Sequence, residues 1–174
     1  MEANIPEESA SLRPAKRSRP SLFSRIKIVI HFDGGSRGSS GASGAGALVE
    51  IVTEQEDGSS SQQTVRVRKY LGTESTNNIA EYHGLLCGLH EAKKAVMEFE
   101  RVSGDDGVSL KCVGDSELVI QQMNGTYQCK SENLIPLYQE AKRLVREMEE
   151  VAPMDVSLVH VYRKDNCVAD GKQS

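Results

Sequence analysis

The chain has no apolar run of the roughly eighteen residues that a membrane-crossing helix needs. Its opening, MEANIPEESASLRPAKRSRPSLFSR, is acidic and then basic and lacks the hydrophobic centre of a signal peptide. A soluble intracellular protein is expected, in cytoplasm or nucleus, with no membrane partner. The four cysteines, Cys87, Cys112, Cys129 and Cys167, form no CxxC pair. Neither a disulfide scaffold nor a zinc site is therefore expected, and they read as reduced thiols. No internal repeat is present. An excess of positive charge is also missing. The net charge is −4, and the first 25 residues hold five basic and three acidic groups, leaving 16 basic against 22 acidic in the remainder. That balance excludes a protein that grips nucleic acid through a broad basic surface. Any such binding must be local or helped by metal ions.

What is present fits one domain with a tail in 174 residues. Residues 1–25 contain three of the five prolines, mix serine with charge and show no periodicity. A disordered tail is expected there, with the globular domain at 26–174. The run PAKRSRP, Pro14 to Pro20, reads either as a solvated tail or as a short import or phosphate-contacting patch.

From Arg25 the sequence RIKIVIHFD alternates, with Ile26, Ile28, Ile30 and Phe32 on one face and Lys27, Val29, His31 and Asp33 on the other. Ala45–Val52 and Thr64–Leu71 are further strand candidates, joined by a loop around Asp57-Gly58, so three antiparallel strands are expected. Thr76 or a following Asn caps a helix whose apolar face carries Tyr82, Leu85, Leu86, Leu89, Ala92 and Val96. A short strand, Val108–Asp115, then two helices, SELVIQQM and NLIPLYQEAKRLVREMEE, and a strand, Val156–Arg163, follow. DNCVADGKQS begins a last helix and stops. This order predicts an α/β fold: a mixed sheet with helices packed on it.

The stretch DGGSRGSSGASGAG places six glycines in the thirteen residues after Asp33. A phosphate-binding loop would need GxxxxGK and then Ser or Thr, but Ala47 and Leu48 follow Gly46. A dinucleotide fingerprint would lead into a helix, and here a strand candidate follows. What survives is a backbone bare of side chains, passing close to a ligand beside Asp33.

Three more acids hold comparable positions. Glu81 lies in the first turns of a helix, Asp115 ends a strand, and Asp170 follows the last strand. Taken singly, Glu81 reads as a solvated helix residue, Asp115 as a helix N-cap, Asp33 as a turn former and Asp170 as a loop acid. Strand ends and helix starts can, however, converge on one edge of a sheet. Two carboxylates about 4 Å apart repel by roughly 4 kcal/mol at an effective dielectric near 20. A cluster of them needs protons or cations, and all-oxygen ligands favour Mg²⁺ or Mn²⁺.

DGGSRG at Asp33, TNNIAEY with Glu81, GDSELV with Asp115 and HVYRKDNCVAD with Asp170 resemble, in order and spacing, the four motifs of the type 1 ribonuclease H family. The resemblance covers residues 26–170 and is strongest to the reverse-transcriptase-like members. Met123 to Asn133 runs straight between two helices, where other members insert a basic segment. It implies a ribonuclease H-like five-stranded sheet, three strands antiparallel and then two parallel, with helices on both faces and a truncated C-terminal helix. It also implies endonucleolytic hydrolysis of the RNA strand of RNA–DNA hybrids by a monomer, through a two-metal-ion mechanism. Asp33, Glu81, Asp115 and Asp170 would hold two Mg²⁺ or Mn²⁺ ions. Gly34, Gly35, Ser36, Asn77, Asn78 and Ser116 match substrate-contacting positions. His160 matches a histidine proposed to aid proton transfer or product release, although its strand alternation equally suits a partly buried structural residue. Arg163 and Asn166 match the last motif and would orient the final carboxylate or touch phosphate.

Two departures stand out. Ser39-Ser40 replaces the usual Asn-Pro, and only Gly171-Lys172-Gln173-Ser174 follows Asp170. A helix that short does not stabilise itself, so the alternative is a catalytically weak nucleic-acid-binding domain of the same fold. A proofreading-type exonuclease is set aside because no second acid follows Asp33 as Asp-x-Glu.

Overall fold

A computed structural model of the chain describes residues 23–37, 41–55, 57–98 and 107–162. The expected tail, apart from its last three residues, lies outside this range. So do Ser39-Ser40, Arg163, Asn166, Cys167, Asp170 and the start of the last helix.

Strand β1 (Phe23–Ser36) sits at the centre of a five-stranded sheet with the order β3-β2-β1-β4-β5. It pairs antiparallel with β2 (Ser43–Gln55) and parallel with β4 (Val108–Gly114). Strand β3 (Ser60–Gly72) is antiparallel to β2, and β5 (Met154–His160) is parallel to β4. The expected arrangement of three antiparallel and two parallel strands is thus the observed one. β2 and β3 extend further than alternation suggested, because the turn between them is tight. Gly58 at φ 81° donates its N–H to the Gln55 carbonyl (3.0 Å), and the Asp57 carboxylate accepts the Ser59 N–H (2.9 Å). β5 starts earlier than expected because Met154 pairs with Val108.

The even positions of β1, Ile26, Ile28, Ile30 and Phe32, are buried beneath helix α1 (Asn77–Glu98). Thr76 caps this helix, its hydroxyl accepting the Ile79 N–H at 3.3 Å. Ala80, Gly84, Gly88 and Ala92 recur every fourth residue and bring the helix unusually near the sheet. A Cβ on Gly88 would come within 2.2 Å of the Ile30 side chain, and one on Gly84 within 2.5 Å of the Asp33 carbonyl. A helix-interior glycine costs about 1 kcal/mol relative to alanine, a cost offset here by close packing.

Helices α2 (Glu117–Met123) and α3 (Ile135–Glu149) complete the same core through Val119, Ile120, Met123, Ala141, Leu144, Val145 and Met148. Pro136 in the first turn of α3 needs no N–H partner. The three described helices share one face of the sheet, and the last helix expected from the sequence lies outside the described residues. Among the described residues no helix is long and apolar enough to cross a membrane.

Candidate active site

β1 and β4 run parallel, and their last paired residues are His31 and Val113. Two residues beyond these lie Asp33, still within β1, and Asp115, just past the end of β4, so neighbouring parallel strands deliver two carboxylates to one edge. Glu81 arrives from the second turn of α1, held in place by backbone contact. A Cβ on Gly34 would come within 2.1 Å of the Ala80 carbonyl carbon and 2.3 Å of the Glu81 nitrogen. Gly34 thus lets the helix backbone rest on β1 beside Asp33. Gly114 plays a similar part on β4, where a Cβ would strike the Phe32 ring at 2.3 Å.

As a result, one carboxylate oxygen from each of Asp33, Glu81 and Asp115 lies within 4.8 Å of the others. Glu81 is only 2% exposed. Its reading as a solvated helix residue is thereby replaced by a buried one. Asp115 is not the N-cap of α2 either; Ser116 holds that position, with its hydroxyl making no capping bond. Each ionised pair at this separation repels by roughly 3–4 kcal/mol at an effective dielectric of 20. Oxygen-only donors gathered around a partly buried point suit a hard divalent cation. The residues present therefore fit the implied metal.

His160, the last residue of β5, pairs with Gly114, and its Nε2 lies 3.3 Å from the Asp115 carbonyl oxygen. A carbonyl only accepts, so Nε2 carries the proton of this bond. The His160 ring meets Tyr162 edge-on, with centroids 5.9 Å apart. His160 is thus tied to the main chain of a cluster residue and is half-buried.

The other matched positions divide. Gly34 and Gly35 continue β1 past Asp33. Ser36 donates its hydroxyl to the Ser75 carbonyl (2.7 Å) and accepts one from Ser43 (2.9 Å), joining the end of β1 to the segment before α1. Asn77 and Asn78 open α1 and are exposed. Asp170, Arg163 and Asn166 lie outside the described residues.

Sequence reasoning passed over several residues. Tyr82 is fully buried and donates its hydroxyl to Gln122 Oε1 at 2.7 Å, fastening α1 to α2 behind the cluster. Burial holds that phenol well above its ordinary pKa. Its place on the apolar face of α1 was legible, but a polar partner forty residues away was not. Lys69 lies 3.3 Å from His83 Nδ1, joining β3 to α1, and burial, with the Lys69 charge, lowers the imidazole pKa. Arg68 and Tyr70 line a groove with Asp33, although RVRKY reads only as an alternating strand. Cys87, Cys112 and Cys129 are free, and burial pushes the Cys112 thiol up to about 12, which leaves it protonated and inert.

The family model described as "Reverse transcriptase-like" matches residues 31–171, a stretch that includes all four acids. The chain belongs to the reverse transcriptase-like family. The bifunctional protein Rv2228c of Mycobacterium tuberculosis is 32% identical over 126 residues, which cover 72% of this chain and 30% of that protein. This family member therefore spans about a third of its curated relative.

Among solved structures, the N-terminal RNase H domain of Rv2228c has a TM-score of 0.62 at 32% identity and covers 84% of this chain and 89% of its own. RNase H1 of Halobacterium salinarum has a TM-score of 0.58 at 28% identity, with 83% and 92% covered. LC11-RNase H1, solved in complex with an RNA/DNA hybrid, has a TM-score of 0.56 at 28% identity, with 84% and 92% covered. The fold is that of ribonuclease H, as the four motifs led us to expect.

Proposed function

We propose that this chain is a metal-dependent nuclease that hydrolyses the RNA strand of RNA–DNA hybrids, acting as a monomer in cytoplasm or nucleus. The observation that carries the reading is the convergence of Asp33, Glu81 and Asp115 within 4.8 Å. The hybrid bound to the LC11 relative supports the substrate class. In this reading Asp33, Glu81, Asp115 and Asp170 hold two Mg²⁺ or Mn²⁺ ions. Such ions, when bound, make water nucleophilic near neutral pH and offset charge developing on a phosphate.

The chain's own contribution is placement. Gly34 and Gly84 hold β1 against α1, so the Asp33 and Glu81 carboxylates face one another without adjustment when substrate arrives. Gly35 and the exposed Asn77 and Asn78 present backbone and amide groups to the minor groove, where the 2′-hydroxyl distinguishes RNA from DNA. Ser36 braces that surface, and Ser116 lies beside Asp115 within reach of the strand. His160 steadies the Asp115 main chain and stands ready to exchange a proton at the site's margin. Arg163 and Asn166 orient Asp170 or contact phosphate.

The test is cleavage of a labelled RNA–DNA hybrid with Mg²⁺, Mn²⁺ or EDTA, beside Asp33→Asn. Cleavage should require metal and fall on the order of 10³-fold in Asp33→Asn, about 4 kcal/mol of transition-state stabilisation. Undiminished cleavage by Asp33→Asn overturns the reading. Metal-dependent binding without cleavage by the unaltered chain moves it to the nucleic-acid-binding alternative.

A further inference from the structure

A groove of about 450 Å³ begins at Asp33 and crosses the sheet to its edge strand. Two rungs of the β-ladder build it. One runs Asp33, Gly46, Arg68, and the next runs Gly35, Gly44, Tyr70. Side chains two apart on a strand share a face, so Arg68 and Tyr70 stand on the same side of the sheet as Asp33. At about 4.8 Å per strand they lie roughly 10 Å across from β1.

The middle of each rung is glycine, and the floor is therefore bare. At Gly44, and at Gly35 where the second rung begins, there is room for a side chain. A Cβ on Gly35 would meet nothing within 4 Å, and one on Gly44 would meet only the Lys69 carbonyl at an ordinary 3.7 Å. Neither residue has a positive φ. The register shift between Ser43 and Gly44 accounts for glycine at Gly44 as a bulge, whereas Gly35 stands in regular pairing with room for a side chain, and there close approach of a ligand is the account that fits.

The lip of the groove has a matching chemistry. Arg68 is exposed and takes part in no ion pair among the described residues. Tyr70 is 71% exposed. Charges on an edge strand are explained by protection against edge-to-edge pairing, and Arg66 fits that account. A bare tyrosine beside an unpaired arginine, facing a glycine floor, does not. Lys69 also borders the groove, but its ammonium is engaged by His83 Nδ1 at 3.3 Å.

We propose that Arg68 and Tyr70 form a second contact for the cleaved strand, with the Arg68 guanidinium on a phosphate away from the scissile one and Tyr70 against the neighbouring ribose. The inference rests on the hybrid-cleavage reading. Its logic is charge complementarity: the cluster of carboxylates repels a polyanion, and on a chain of net charge −4 a local cationic lip holds the strand where a broad basic surface is lacking. Guanidinium binds phosphate in a bidentate fork, and tyrosine adds apolar area with a hydroxyl in reach of a 2′-OH.

The experiment uses the full chain in an Asp33→Asn background with Mg²⁺, so that binding of a fluorescent RNA–DNA hybrid is read without cleavage. Arg68→Ala and Tyr70→Ala should each weaken binding by about tenfold. Arg68→Ala should lower the slope of log affinity against log salt by about one, and Arg68→Lys should restore that slope. Gly44→Val, which fills the floor at a position with room for a side chain, should weaken binding as well. Arg66→Ala, on the same edge but outside the groove, should not. With Asp33 restored, KM should rise in Arg68→Ala while kcat stays within about threefold. If the Arg68 and Tyr70 variants bind no worse than Arg66→Ala while the unaltered chain binds and cleaves, the lip is overturned and the hybrid reading stands. If the unaltered chain does not bind the hybrid, both are overturned.

Discussion

The two faces of β1 have opposite tasks although their residues alternate along one strand. On the even register Ile26, Ile28, Ile30, Phe32 and Gly34 are packed against α1 so closely that Gly34 has no room for a methyl group. On the odd register Asp33 and Gly35 face a groove, and Gly35 has open space. The packed face sets where the helix lies, and the helix carries Glu81. The open face supplies the carboxylate and the bare floor. Precision on one side thus serves chemistry on the other, since a carboxylate shifted by an ångström loses much of its effect.

Adjacent glycines break this comparison most directly. Gly34→Ala should destabilise the fold by roughly 3 kcal/mol, the upper end for overpacking, and should cut cleavage by pushing Glu81 away. Gly35→Ala should leave stability within about 0.5 kcal/mol; urea titration of both variants checks the pair. Next comes metal linkage through the residue that both faces share. Mg²⁺ at a hundred times its Kd should stabilise the unaltered chain by about 2.7 kcal/mol, and Glu81→Gln should forfeit more than half of that gain in a thermal melt, along with most of its cleavage.

Behind the site, Tyr82→Phe removes the donor to Gln122 Oε1 in a buried pair and should cost about 1–2 kcal/mol in the same titration. The smallest effect concerns the helix face turned to β3. Burial and Lys69 lower the His83 pKa below its ordinary value of 6.5, so the unfolded chain binds the proton more readily. Its contribution is complete above pH 6.5 and fades as the pH falls from there through the lowered folded value. His83→Gln should flatten the pH dependence of the melting temperature across that window.

The strand alternation of β1, the Asp57-Gly58 turn, the Thr76 cap and the apolar stripe of α1 were all legible in the sequence, because each is a pattern over a few neighbouring residues. Strand ends were less legible. β1 continues through Gly34 and Gly35 to Ser36, as pairing with β2 outweighs the low strand preference of glycine. Glu81 shows the limit more sharply. On a helix its neighbours gave it the look of a solvated acid, yet it is buried, because Gly34 and Gly84 draw that turn onto the sheet. The roles of Gly84 and Gly88 were equally hidden, since a glycine in a helix carries no mark of what it will press against.

The sequence by itself determined the order of strands and helices and the family, since periodicity, caps and four spaced motifs are local and survive being read in one dimension. The four motifs implied that Asp33, Glu81 and Asp115 meet, but only the tertiary structure brings their carboxylates within 4.8 Å of one another and stands Arg68 and Tyr70 across a glycine floor from Asp33. The physical reason is register. Which residues face one another across β1, β2, β3 and β4 depends on hydrogen-bonded pairing between distant segments, and a slip of one residue would turn each side chain to the other face.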